Sequence, residues 1–296
     1  MAFNWQTFRA RTLTAAVFVV VMLAGLLLNS WSFFILFSII HFGCWVEYQK
    51  LVGQIDKNYR EITPFHKYGV MIAGWCIMLY FSSGSFHIGS IRLQEIGWWL
   101  GIIFIFVLPV VELLFEDHIH LKNIAHSAFG LVYISLSLGL MVDLFGRREI
   151  HFHDEVHLVP SYFFPVVIIA AIWINDTMAY IVGSLIGRRP LSSISPKKTW
   201  EGTIGGIILS VAVCGLVAVY VLHVGQLSIL ICLIAAVAAV AGAFGDLMES
   251  KLKRLANVKD SGSIMPGHGG FLDRFDSLLV AVPFVWLLLA MVGVIK

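Results

Sequence analysis

The stretch GDLMESKLKRLANVKDSGSIMPGHGGFLDRFDS, residues 245–277, orders carboxylates, cations and glycines in a way that suits phosphate chemistry. Asp246, Ser250 and Lys253 share one face if a helix runs through them. Asp273 and Asp276, three apart, share a face of the next helix. Between the two sets Pro266, Gly267, Gly269 and Gly270 break the chain into a turn. Glycine permits positive φ and close backbone approach to a ligand. Amides of such a turn and of the helix start after it can form an anion site. Carboxylates beside phosphate-binding cations point to Mg2+, which is held by one or two carboxylates plus substrate phosphates. The competing reading is a solvated charge run, and it leaves the alternation of acids and bases around a glycine turn unexplained.

Two other places carry polar chemistry. The loop GRRPLSSISPKKTWEG, residues 187–202, has four cations, three serines and two prolines. Hydroxyls, backbone amides and lysines together are what a polyphosphate site uses. No GxxxxGK[ST] run occurs, so this is not a P-loop. Asp176 lies in the run WINDTMAY, inside an apolar block. A carboxylate at that depth costs at least about 2.5–3.5 kcal/mol unless it faces a wet cavity or a partner. A hydrogen bond to a neighbouring helix is its structural alternative. Ala179, Gly183 and Gly187 follow at four-residue spacing and form a smooth stripe for helix contact.

The elements that must position these residues are membrane helices. The chain is 59% hydrophobic and 13% charged, with mean hydropathy +0.88. Soluble domains are near half apolar and a quarter charged. Nine apolar blocks stand out: 12–28, 31–46, 68–82, 97–115, 124–142, 162–187, 203–222, 227–245 and 278–295. In lipid each must pair its own backbone, so each is expected to be a helix. With the N-terminus in the cytoplasm, sixteen of the 20 Lys and Arg fall on the inner side. Only Arg92, Arg147, Arg148 and Lys296 fall outside, as the positive-inside rule requires. The expected fold is therefore an all-α polytopic membrane protein of about nine transmembrane helices. Helices 1–5 occupy 1–160, and a catalytic region with cytoplasmic loops 187–202 and 246–277 occupies 161–296. The Ala- and Gly-rich stretch from Ala235 to Gly245 reads as a packing face. Cys44, Cys76, Cys214 and Cys232 all lie in apolar blocks with no CxxC pair, so neither a disulfide framework nor a zinc site is supported. The run HFHDEVH, with His151, His153 and His157, reads as solvated surface rather than a metal site.

The run from Ser250 to Asp276, with K-D-S-G-S-I-M-P-G-H-G-G-F-L-D-R-F-D at its core, resembles the signature of phosphatidate cytidylyltransferases (CDP-diacylglycerol synthases). Trp173–Tyr180 and ISPKKTWEG, Ile194–Gly202, resemble that family too. Met265 stands where the family more often has another apolar residue. The motifs cover about 173–277; the N-terminal half resembles the family only in hydropathy. The resemblance implies that CTP and phosphatidate, the phosphatidic acid form of a membrane lipid, are joined to give CDP-diacylglycerol and pyrophosphate at a bacterial inner membrane. It implies a homodimer and no nucleic-acid partner. On this reading Asp246, Asp273 and Asp276 are the preferred Mg2+ ligands, with Asp260 and Asp176 as further candidates. Lys197, Lys198, Lys259 and Arg274 hold phosphates, and Ser195 and Thr199 donate to phosphate oxygens. Ser250, Lys253, Gly269 and Gly270 line the substrate. His268 contacts phosphate, shuttles a proton or holds the glycine turn. Arg188 and Arg189 either grip the phosphatidate headgroup or anchor the interface.

Three other readings compete. An ion-coupled transporter would suit many spans and Asp176, but carriers place sites near the midplane between repeats, and no repeat is visible. A sister enzyme using CTP on another lipid phosphate would share the loops. A noncatalytic scaffold would not need them.

Overall fold

The computed structural model describes residues 5–82, 86–115, 120–152, 155–263 and 269–295. Its helices are α1 (Trp5–Leu27), α2 (Ser30–Ile55), the single turn α3 (Lys57–Arg60), α4 (Pro64–Tyr80), α5 (Leu93–Phe115), α6 (Leu121–Gly130), α7 (Ser137–Gly146), α8 (Phe163–Ile186), α9 (Trp200–Leu216), α10 (Ser228–Leu255) and α11 (Leu272–Met291). A π-helical stretch, Leu131–Leu136, joins α6 to α7 into one apolar rod, Leu121–Gly146. Two short hairpins, β1–β2 (His87–Ile88 and Ile91–Arg92) and β3–β4 (Glu149–Phe152 and Glu155–Leu158), are the only sheets among the described residues.

Each of the nine apolar blocks falls in a helix. Among the described residues, seven helices are long and apolar enough to cross a bilayer; Thr12–Leu27 and the 17-residue α4 are shorter. The chain is an all-α, multi-pass membrane protein. Polar caps place the breaks between blocks. Asn29 and Ser32 form a reciprocal capping box at the start of α2, with bonds of 2.8 and 3.0 Å. Thr63 caps α4, which opens on Pro64, where a missing N–H costs nothing.

Packing divides the chain into two units. Residues 1–146 and 252–275 form the first; residues 147–251 and 276–296 form the second. The expected boundary at 160/161 is one of role, and packing partitions the chain differently. Helices α10 and α11 each contribute to both units. The first unit has an aromatic core, with Phe33 stacked on Phe37 and Phe145 at ring separations of 4.4 and 4.0 Å. The second is built on small residues. Ala235, Ala238, Ala239, Ala241, Gly242 and Gly245 of α10 are buried, as a packing face should be. Helices α8 and α9 meet along the expected stripe: a Cβ on Gly202 would stand 2.9 Å from the Gly183 Cα, and one on Gly206 would stand 2.7 Å from the Ala179 Cβ.

The cysteines are all free, and three of the four are buried. His151 and His157 lie on the β3–β4 hairpin, where His157 is 3.7 Å from Glu155. His153 is outside the described residues.

Candidate active site

In the second unit, loop 187–199 doubles back on itself. Pro190 and Thr199 form a bridge, and Leu191 N–H donates to the Lys198 carbonyl at 2.7 Å. Thr199 caps α9 by accepting the Gly202 amide at 3.1 Å. Glu201, in the first turn of α9, accepts the amides of Arg188 and Arg189 at 3.1 and 3.2 Å. The loop is thus fixed by its own backbone, and Lys198 projects from it to form an ion pair with Asp246.

Asp246 follows Gly245 in α10, and this glycine sets the geometry. A Cβ there would collide with the Asp276 carbonyl oxygen and stand 3.0 Å from the Ser277 Cα. Only glycine lets α10 and the 276–291 part of α11 come so near. Asp276, buried, accepts the Ser277 amide at 2.6 Å and faces the carboxylates of Asp246 and Glu249 and the ammonium of Lys198. Asp176, past the middle of α8, is exposed and has Lys198 and Asp246 as electrostatic neighbours. Asn175 Nδ2 lies 3.4 Å from its Oδ1. Four carboxylates and one lysine, from three helices and a loop, therefore form one cluster.

Among the described residues, no group of three or more His, Cys, Asp or Glu stands ready by itself to hold a metal ion. Mg2+ does not ask for that; one or two carboxylates plus substrate phosphates suffice. The donor chemistry of Asp246 and Asp276 fits it: hard oxygens, unequal to one lysine in charge, in a place where like charges repel unless a cation joins them.

The first unit holds the glycine turn. Asp273 is fully engaged: Oδ1 takes Lys253 Nζ at 2.6 Å, and Oδ2 takes the amides of Ser261 and Gly270 at 2.8 Å each and the Ser261 hydroxyl at 2.9 Å. Glu47 of α2, 4% exposed, accepts the Ser261 hydroxyl at 2.7 Å and the amides of Phe271 and Leu272 at 2.9 Å each. Gly269 has φ +82°, and Cβ atoms on Gly262 or Gly270 would strike the Glu47 carboxylate. The glycines here admit a carboxylate of the chain itself.

Three of the expected site residues have partners within the first unit. The amides of Gly270, Phe271 and Leu272, expected at an anion site, are taken by Glu47 and Asp273. Lys253, expected to line the substrate, pairs with Asp273. Asp273, expected on the cation, has both oxygens occupied by donors of its own unit. The physical reason is common to all: amides at the start of a helix need acceptors, and Glu47 supplies a buried one that the loop sequence does not reveal.

Asp246, Ser250 and Lys253 do lie on one continuous helix, α10. Lys197, Lys259, Asp260, Arg188, Arg189 and Arg274 are exposed, and Ser195 and Ser250 are half-buried. Met265, Pro266, Gly267 and His268 lie outside the described residues. Sequence reasoning missed Glu47 and Glu249. Glu47 closes an apolar stretch of α2, and Glu249 stands in the charged end of α10 one turn from Asp246; burial singles both out.

The whole arrangement can be set beside known proteins. The model of the Cytidylyltransferase family matches residues 9–292. The phosphatidate cytidylyltransferase of Bacillus subtilis is 42% identical over 147 residues, 48% of this chain and 53% of that protein. The alignment to the phosphatidate cytidylyltransferase 4 of Arabidopsis thaliana spans only 27% of that protein, at 48% identity over 36% of this chain. The enzyme of that name from Staphylococcus saprophyticus is 30% identical over 95% of this chain and 98% of its own length.

Proposed function

The chain belongs to the cytidylyltransferase family, and on that premise we propose that it transfers CMP from CTP to phosphatidate, giving CDP-diacylglycerol and pyrophosphate. The observation that carries this reading is the cluster of Lys198, Asp246, Glu249 and Asp276 in the second unit.

A phosphate monoester carries about −1.5 to −2 charge at neutral pH, so it needs no strong base to attack. One of its oxygens forms a bond to the α-phosphorus of CTP. The bond from that phosphorus to the bridging oxygen breaks, in line, and pyrophosphate leaves. The obstacle is the repulsion of two anions. Lys198 lowers it by turning from Asp246 to the triphosphate. Asp246 and Asp276 would hold Mg2+. That ion, when bound, supplies Lewis-acid stabilisation of the phosphates and of the leaving pyrophosphate. Asp176 faces the same charges and keeps the lysine oriented. Arg188 and Arg189, both exposed, take the lipid phosphate. Lys197, exposed in the same unit, is a further phosphate-binding cation, and Lys259 and Arg274, exposed in the first unit, keep the phosphate-binding role that the resemblance implies. Glu47 and Asp273 hold Ser261 and the backbone from Gly270 to Leu272.

The same reading puts the catalytic loops at the cytoplasmic face of a bacterial inner membrane and the working enzyme as a homodimer. The test is an assay of the purified protein with labelled CTP, phosphatidate and Mg2+. CDP-diacylglycerol and pyrophosphate should appear in equal amounts, and dATP, UTP and other lipid phosphates should be poor replacements. Folded protein that forms neither product would overturn the proposal.

A further inference from the structure

A second place for phosphate chemistry lies in the first unit, and it includes no residue assigned above. A cavity of about 370 Å3 lies where α2, α3 and the start of α4 meet. Lys50, Arg60 and Lys67 line it, and no carboxylate does. The volume is within the usual range for a small-molecule site, about 300–1,000 Å3. Gly53 allows the convergence: a Cβ there would stand 3.3 Å from the Arg60 Cα, so the turn α3 can fold close against α2.

Gln49, 5% exposed, helps to hold the cavity wall in place. Its Nε2 donates to the Lys67 carbonyl at 2.9 Å, and its amide lies within hydrogen-bond reach of Tyr59. Tyr59, on the same wall, has its hydroxyl 3.3 Å from Ser127, and burial pushes its phenol up, so it stays neutral.

The position selects the source of the ligand. The cavity sits at the end of the membrane-length helix α2. Beside it Phe65 and Tyr68 are exposed, with Lys67 Nζ 6.0 Å from the Tyr68 ring centroid. Exposed aromatics next to a span end mark headgroup depth. We propose that this cavity binds the phosphodiester headgroup of an anionic phospholipid. Lys50, Arg60 and Lys67 take the phosphodiester.

The test uses the full chain in phosphatidylcholine micelles, titrated with short-chain phosphatidylglycerol and followed by calorimetry. Saturable binding at one lipid per chain is expected. Lys50→Gln/Arg60→Gln/Lys67→Gln should weaken it about tenfold or more, as the loss of charge-assisted bonds demands. Lys57→Gln, outside the cavity, should leave it unchanged. Should the triple variant fail to fold, Lys50→Gln and Arg60→Gln are read singly for the same loss. Glycerol 3-phosphate should bind much more weakly than the lipid. Equal affinity for it would overturn the lipid assignment in favour of a soluble phosphate ester. Wild-type affinity in the triple variant, or unsaturable lipid uptake alone, would overturn the site. The readout involves no CTP turnover, so it stands or falls separately from the reaction proposed above.

Discussion

Gly245 and Asp276 touch through the backbone: a methyl group on residue 245 would stand against the Asp276 carbonyl oxygen. That contact sets two acids beside each other on separate helices. Gly245→Val should destabilise the protein by about 1–3 kcal/mol through overpacking. It should also cut CMP transfer about tenfold or more, since 1.4 kcal/mol of misplacement suffices for that. Thermal unfolding in detergent and the CTP assay read the two effects. Full turnover in this variant would mean that the close approach is dispensable.

Asp246→Asn and Asp276→Asn remove charge where the cation is proposed to sit. Each should lower kcat about 100-fold or more, roughly 2.7 kcal/mol of transition-state stabilisation, with membrane insertion intact. EDTA should abolish turnover of the unaltered enzyme, and Mg2+ should restore it. Near-normal rates in either variant would take that residue off the cation.

Lys198 pairs with Asp246 across a partly exposed gap. Lys198→Ala should lower kcat more than it raises the KM for CTP, because the charge matters most as pyrophosphate departs. Lys198→Arg should recover part of the rate. Lys259→Ala, at an exposed position, should act mainly on KM. Rate constants for CTP at saturating phosphatidate distinguish these patterns; an unchanged Lys198→Ala enzyme would contradict the role given to this residue.

Glu47→Ala leaves the amides of Phe271 and Leu272 without their acceptor, while the Ser261 hydroxyl still has Asp273. Each buried donor so stranded costs about 1–3 kcal/mol. A clear fall in melting temperature and loss of turnover are expected. Glu47→Gln keeps one acceptor oxygen and should fall between. A fluorescence-detected melting series on the three proteins would decide it, and identical melting curves would refute the anchoring role.

Much of this was readable from residue order, and the reasons are physical. Apolar runs near 20 residues have no choice but helix in lipid, so all nine blocks became helices. The Ala179–Gly183 stripe found α9 because small residues in membranes are there to be packed upon. Lys198 and Asp246 are separated by a whole helix, yet both lay in stretches marked as chemical. Glu47 stayed hidden because its partners are far along the chain, and one acid at the end of an apolar block looks like an ordinary span boundary. The roles expected for Gly270 and Lys253 failed to foresee their partners for the same reason: a local motif gives donors but not the distant acceptor that claims them.

The Glu47 bond to Ser261 joins positions 214 apart in sequence. Synthesis runs from the N-terminus, so α2 is threaded into the bilayer long before the serine exists. Until then the glutamate lacks the Ser261 hydroxyl and the Phe271 and Leu272 amides that it accepts in the folded chain. Contacts this distant in sequence form slowly, so this carboxylate is matched only once the two ends of the first unit's sequence have met.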